Sequence, residues 1–198
     1  MSMTIPQGLY YFDDVVDEEY QMTLLNSLNN SIWKPVVIST KGRLVQHYGF
    51  AYDYETYNIY QRVDPIPEFM NKLLDTLYSK CNEIDIINET NKNYTFNQCI
   101  VNRYEPGQGI SKHIDVKSYG GIIGCYTIGG GCNMTFRHKN GDTYTVYVKP
   151  GSLYIMSGDS RYLWTHEMKS VVKDKVNGKY IPRTHRISLT FRCVPLPS

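Results

Sequence analysis

The stretch NRYEPGQGISKHID, residues 102–115, governs how the rest of the chain is read. Its start alternates as a strand does, with Asn102 and Tyr104 on one face, and the PGQG turn then leads into His113 and Asp115. Residues two apart on a strand point to the same side, so His113 and Asp115 can grip one metal ion together. Alone, that pair is a weak signal. A third ligand is needed, and His166 in SRYLWTHEM, at the end of a later strand region, is the best candidate. Two imidazoles and one carboxylate leave half an octahedron open, which suits Fe(II) sharing its remaining positions between a co-substrate and dioxygen. His47, His138 and His185 have no carboxylate at useful spacing and read as structural histidines.

Outward from this stretch, the texture is that of a mainly β domain. After residue 94, TFNQCIVNRYE, GIIGCYTI, NMTFRH, DTYTVYV, GSLYIMS and HRISLTFRCV all read as strands, and Asn140-Gly141 marks a hairpin. Before it, two helices are expected. One opens on Asp17 as N-cap, with Tyr20, Leu24 and Leu28 four apart; the other enters through Pro67, with Phe69, Leu73 and Leu77 at the same spacing. The expected architecture is α+β, mainly β: one domain over residues 1–198, its helical and lid part over 1–94 and its β core over 95–198. The core is an antiparallel sandwich or small barrel with the helices on one side, and a buried site belongs at its mouth.

Composition narrows the class. With 41% hydrophobic and 20% charged residues the chain reads as an ordinary globular protein, with no apolar run long enough for a membrane span. The N-terminus lacks a signal-peptide pattern. Five scattered cysteines without CxxC spacing argue against both a disulfide framework and a zinc-thiolate site, so an intracellular location with reduced thiols is expected. Nothing specifies an assembly, and a monomer is expected. The net charge of +2 demands no polyanionic partner. However, residues 169–192 set seven basic side chains, Lys169, Lys173, Lys175, Lys179, Arg183, Arg186 and Arg192, against the single acid Asp174. Such a run is either a solvated loop or the footprint of an anionic partner.

In HRISLTFRCV, Arg186, Ser188, Thr190 and Arg192 fall on one face and Ile187, Leu189 and Phe191 on the other. The two arginines bracket the polar face with Cα atoms roughly 20 Å apart, and long side chains can narrow that onto a small dianion. Asn102 and Tyr104 offer an amide and a phenol to complete the hydrogen bonds of a buried carboxylate.

Together, N-x-Y, H-x-D, a distal His and R-x5-R, in that order, resemble the AlkB family of Fe(II)- and 2-oxoglutarate-dependent dioxygenases. The likeness covers residues 95–194 closely. It implies a double-stranded β-helix, with His113, Asp115 and His166 as the iron ligands. Arg186 and Tyr104 would take the distal carboxylate of 2-oxoglutarate, Arg192 and Asn102 would face its metal-chelating end, and Ser188 stands where many relatives have asparagine. The implied reaction consumes O₂ and 2-oxoglutarate, releases succinate and CO₂, and oxidises a substrate C–H bond. In wording, YEPGQGI…HID and SRYLWTH are closest to the homologue acting on a tRNA wobble uridine.

A nucleic-acid base is the expected substrate, through N-alkyl demethylation or RNA base hydroxylation. LVQHYGFAYDYETY sets Tyr48, Phe50, Tyr52 and Tyr54 on one strand face, a face that either stacks a base or packs into the core. Tyr48 and Tyr52 are the expected base contacts, and Lys169, Lys173, Lys175 and Lys179 the expected phosphate contacts. Two alternatives stay open: a protein side-chain hydroxylase or demethylase of the same family, and a catalytically inert module that binds nucleic acid.

Overall fold

Asp17 stands just before the first apolar-periodic run, and its carboxylate accepts the backbone N–H of Tyr20, the capping bond that starts helix α1 (Glu18–Asn29). Leu24 and Leu28 are its buried residues, as their spacing predicts. The second helix begins later than Pro67. A 3₁₀ turn, Glu68–Met70, takes up the entry, and α2 runs Asn71–Glu83 with Leu73, Leu77 and Cys81 buried. A short third helix, α3 (Gly158–Tyr162), opens with a capping box between Ser157 and Ser160. The computed structural model describes residues 4–36, 42–56, 58–86 and 94–195.

The first strands are β1 (Leu9–Phe12), β2 (Lys34–Pro35), β3 (Leu44–Tyr48), β4 (Phe50–Asp53) and β5 (Asn58–Arg62). Then come β6 (Gln98–Tyr104), β7 (Ile110–His113), β8 (Ile123–Gly129), β9 (Cys132–His138), β10 (Thr143–Val148) and β11 (Ser152–Met156). The last are β12 (Trp164–Met168), β13 (Lys173–Val176), β14 (Lys179–Pro182) and β15 (Arg186–Arg192). Seven form the larger sheet in the order β1-β11-β8-β15-β6-β3-β2, and four form the smaller, β10-β9-β12-β7. Neighbouring strands run antiparallel. The Asn140-Gly141 turn closes the β9–β10 hairpin, with Gly141 at φ 100°.

Each face of the larger sheet has its own core. On one, Leu24, Leu28, Leu73 and Leu77 of the helices pack with Val101, Tyr126, Ile128, Ile187, Leu189 and Phe191. Gly124 in β8 permits this approach, since a Cβ there would run into the Leu77 side chain. On the other, Ile123, Cys125, Tyr154 and Met156 meet Met134, Phe136, Val148, Trp164 and Met168 of the smaller sheet or its connections. Two facing antiparallel sheets with helices on one outer side make the double-stranded β-helix that the sequence leads one to expect. Strand β15 lies between β8 and β6, so its inward face sits in the middle of the sandwich.

One expectation fails here. Residues 44–56 are not a single strand with its aromatics in line. Gly49 adopts φ 77°, where an added Cβ would collide with the Asn97 carbonyl, and the chain turns from β3 into a separate β4–β5 hairpin. Tyr48, paired with Cys99, therefore faces the helices, and its hydroxyl donates to Gln46 Oε1. Tyr52 belongs to the hairpin.

Candidate metal and co-substrate site

The inward face of β15 and its neighbours builds the site. Arg186, Ser188, Thr190 and Arg192 lie on this face, and the register sets Ser188 beside Asn102 and Arg186 beside Tyr104 on β6. On its other flank Thr127 of β8 lies opposite Ser188. The four β15 side chains, Asn102 and Tyr104 share one cavity with His113, Asp115 and His166.

The i, i+2 argument reaches the right residues by a different route. β7 ends at His113, and Asp115 lies in the loop beyond it. His113 pairs directly with His166 across β7 and β12, ring centroids 4.3 Å apart, and one ligand atom from each of the three residues falls within 4.8 Å of the others. The Nδ1 of His113 lies 2.8 Å from the Ser111 carbonyl, which only an N–H can satisfy, so its Nε2 lone pair is left for the metal.

Asp115 is divided between two tasks. Its Oδ1 accepts Arg192 Nε at 3.0 Å and Nη2 at 2.7 Å. Its Oδ2 is buried without a hydrogen-bond partner, 3.6 Å from His166 Nε2. Burial opposes the charge on Asp115. The Arg192 guanidinium, with His166, His113 and Arg161 adding to it, outweighs burial and holds the carboxyl well below the usual carboxylate range. Burial, reinforced by His113 and opposed by Asp115, pushes the His166 imidazole down to about 3, so it is neutral near pH 7. The 3.6 Å approach is thus no ion pair but two lone-pair atoms facing a common point. A buried anionic oxygen without a hydrogen-bond donor, with ring nitrogens of His113 and His166 beside it, fits a divalent transition metal.

Sequence reasoning missed what holds that loop. Arg161 of α3, only 1% exposed, donates to four carbonyls: Asp115 at 2.9 Å, Val116 at 2.7 Å, Tyr119 at 3.4 Å and Gly120 at 3.3 Å. Its one mark in the sequence is an arginine five residues before His166.

Arg186 marks the other end. It is buried, its Nη2 donates to Thr127 Oγ1 at 2.9 Å, and its guanidinium carbon lies 5.5 Å from the Tyr104 ring centroid. Its Nε has no partner, and no ion pair reaches it among the described residues. Thr127 had no sequence signal, because only sheet pairing brings it there. Asn102 is also engaged: its Oδ1 accepts Arg43 Nε at 2.9 Å.

Toward β3 and the β4–β5 hairpin the surroundings are aromatic. The backbone N–H of Tyr52 points to His47 Nδ1 at 3.4 Å, and His47 Nε2 lies 3.1 Å from the Tyr54 hydroxyl. Burial, with Arg192 next in effect, lowers His47 to about 4, so it too is neutral. Tyr52 stacks edge-on with Tyr54 at 5.0 Å and lies 6.3 Å from Tyr119, whose ring covers Arg192 at 4.9 Å. His47 is hydrogen-bonded, as a structural histidine should be, but it shares the face of β3 that continues to Asn102 rather than the face of Tyr48.

The basic segment separates into inside and outside. Arg186 and Arg192 point inward, and Arg183 is buried in a two-pronged ion pair with Asp174 at 2.7 and 2.9 Å. Lys169, Lys173, Lys175 and Lys179 stay exposed, and none forms an ion pair among the described residues.

Comparison with known proteins agrees with this geometry. The model of the 2OG-Fe(II) oxygenase superfamily matches residues 8–192. The uncharacterized protein L905 of Acanthamoeba polyphaga mimivirus is 36% identical over 193 residues, which cover 94% of this chain and 85% of that protein. The tRNA (carboxymethyluridine(34)-5-O)-methyltransferase alkbh8 of Xenopus tropicalis is 35% identical over 167 residues, 84% of this chain but 26% of the frog protein. The chain thus spans about a quarter of that relative. The structure of OsALKBH1 superposes with a TM-score of 0.72 at 18% identity, covering 96% of this chain and 98% of the other, a likeness of fold. With the triad and both arginines lining one cavity of a double-stranded β-helix, the chain belongs to the 2OG-Fe(II) oxygenase superfamily and, within it, to the AlkB family, whose chemistry uses Fe(II), 2-oxoglutarate and O₂.

Proposed function

We propose that the chain oxidises a C–H bond of a nucleic-acid base, removing an N-alkyl group or hydroxylating the base, with 2-oxoglutarate held between Arg186 and the His113–Asp115–His166 triad. The observation that carries the co-substrate placement is the buried Arg186 guanidinium, its Nε unpartnered, facing the same cavity as the orphaned Asp115 Oδ2. Burying an unpaired charge costs several kcal/mol, so such a group calls for an anion. The distal carboxylate supplies it, with Thr127 orienting the guanidinium and the Tyr104 hydroxyl as a further donor. Asn102 and Ser188 line the middle of the cavity, and Arg192 holds Asp115 so that Oδ2 stays aimed at the metal.

When bound, iron and 2-oxoglutarate supply the oxidation: one oxygen atom of O₂ enters succinate as CO₂ leaves, and the other enters the substrate C–H bond. The chain's own residues bind, orient and exclude water. His47, Tyr52, Tyr54 and Tyr119 form an aromatic surround beside Arg192 that suits a flat, extruded base, and the exposed lysines suit its phosphates. Tyr48 has no part in this surround. The printed name of the frog relative concerns a modified uridine of tRNA, which supports RNA among the candidates.

Succinate release measured in parallel with alkylated DNA oligonucleotides, tRNA and protein extracts tests the reading. Stimulation by a nucleic acid and not by protein is the expected result. Stimulation by protein alone would transfer the site to side-chain oxidation, and no stimulated turnover with any substrate would leave the inert binding module.

A further inference from the structure

The β13–β14 hairpin is too well built for an incidental loop. Its two-residue turn, Asn177-Gly178, has φ 48° and 82°, the pair of left-handed residues a tight hairpin requires. Its base is locked. Arg183 holds Asp174 by two bonds and the Lys169 carbonyl at 2.7 Å, and its backbone N–H donates to the Val172 carbonyl at 2.9 Å. Arg183 also reaches the Gln108 carbonyl at 3.3 Å, and Gln108 Nε2 donates to the Gly42 carbonyl beside Arg43. The hairpin is therefore tied through the 105–109 turn to the side of the cavity where Arg43 meets Asn102.

The two faces of this hairpin differ. Asp174 pairs with Ile181 on the inner face; Lys175 pairs with Tyr180 and Lys173 with Pro182 on the outer. Tyr180 is 62% exposed, and the Lys173 ammonium lies 4.6 Å from its ring centroid. A large aromatic ring held in solvent on a hairpin strand, flanked by two cations with no acidic partner among the described residues, has the composition of a stacking platform. A base within a duplex has both faces already stacked and cannot use the ring, whereas an unpaired base can.

We propose that Tyr180, with Lys173 and Lys175, docks single-stranded nucleic acid, stacking one base outside the catalytic pocket while the lysines meet the phosphates on either side. This rests on the nucleic-acid reading of the site and adds the strandedness of the substrate and a second point of contact.

The test is anisotropy binding of a mixed-sequence single-stranded oligonucleotide and its duplex, at several salt concentrations, to the wild-type protein, Tyr180→Ala and Lys173→Gln/Lys175→Gln. Tyr180→Ala should weaken single-strand binding about tenfold, the loss of one base–aromatic stack, without changing the salt slope. The double lysine variant should flatten the logarithmic salt slope by about 1.4, the release expected for two phosphate contacts on a single strand. All three positions are on the exposed face, so the melting temperature should not move. Single-strand binding that ignores Tyr180→Ala, or a duplex that binds as tightly as the single strand, would overturn the platform while leaving the nucleic-acid reading intact. If the wild-type protein binds no oligonucleotide under any condition, the nucleic-acid reading itself fails and the platform with it.

Discussion

Asp115 supports both the metal and the fold, because one oxygen is bound to a buried arginine and the other is left for the ion. Asp115→Ala should abolish Mn(II) binding and also cost about 3–5 kcal/mol of stability, since it strands the Arg192 charge in the interior. The double variant Asp115→Ala/Arg192→Met should recover much of that stability and none of the metal affinity. Urea unfolding and Mn(II) titration read the two effects separately, and recovery of metal binding in the double variant would refute the ligand assignment. The remaining arginines divide in the same way. Arg186→Lys keeps the charge but loses the planar fork, and should raise the 2-oxoglutarate KM at least tenfold with little change in apo stability. Arg183 sits in the same basic run but is buried against Asp174, so Arg183→Ala should lower the melting temperature and leave that KM unchanged. Matching KM values in the two variants would show that the inward face of β15 does not hold the co-substrate.

Strand β15 shows how much an element can reveal by itself. Its period of two gave the correct apolar face, Ile187, Leu189 and Phe191 against the helices, and the correct polar face toward the cavity. The residues that this face meets were less accessible, because Thr127 and Arg161 arrive through sheet pairing and a helix turn that no local pattern specifies. The metal ligands were legible as a motif, although the strand argument behind them was wrong for Asp115, which lies beyond the end of β7. The turn chemistry of Asn140-Gly141 recurs at Asn177-Gly178, but the flanking strands there are four residues each and lysine-rich, so no alternating apolar pattern marks that hairpin. Tyr48 was misplaced for a backbone reason. A strand pattern continued through Gly49, and a single left-handed residue there sends the chain out of the sheet. Gly49→Ala should therefore cost about 1–3 kcal/mol in strained backbone alone, and more from the clash with the Asn97 carbonyl. Thermal unfolding of that variant should fall clearly below wild type, whereas Gly178→Ala, which has open space at its Cβ, should suffer only the backbone term.

Across the whole molecule, the larger sheet carries a dry core on its helical face and a charged interior on the other. Arg186, Arg192, Asp115 and His166 are all at most 8% exposed. No helix among the described residues is long and apolar enough to cross a membrane. Among the described residues, this interior leaves Asp115 Oδ2 and Arg186 Nε buried without a hydrogen-bond partner. Under the proposed function, His113, Asp115 and His166 would hold the metal ion and Arg186 would hold a carboxylate of 2-oxoglutarate, so both unpaired atoms would gain partners in one cavity. Each ligand should then tighten the other, and linkage makes that visible as stability. A ligand at a hundred times its Kd adds about 2.7 kcal/mol, which for a chain of this size raises Tm by roughly 5–10 °C. Mn(II) and 2-oxoglutarate added together should raise Tm by more than the sum of their separate effects. Arg186→Lys should keep the Mn(II) shift and lose most of the excess, and His113→Ala should lose both. Strictly additive shifts in the wild-type protein would mean that the two ligands do not meet in this cavity, and the co-substrate would then have to be sought outside the β15 face.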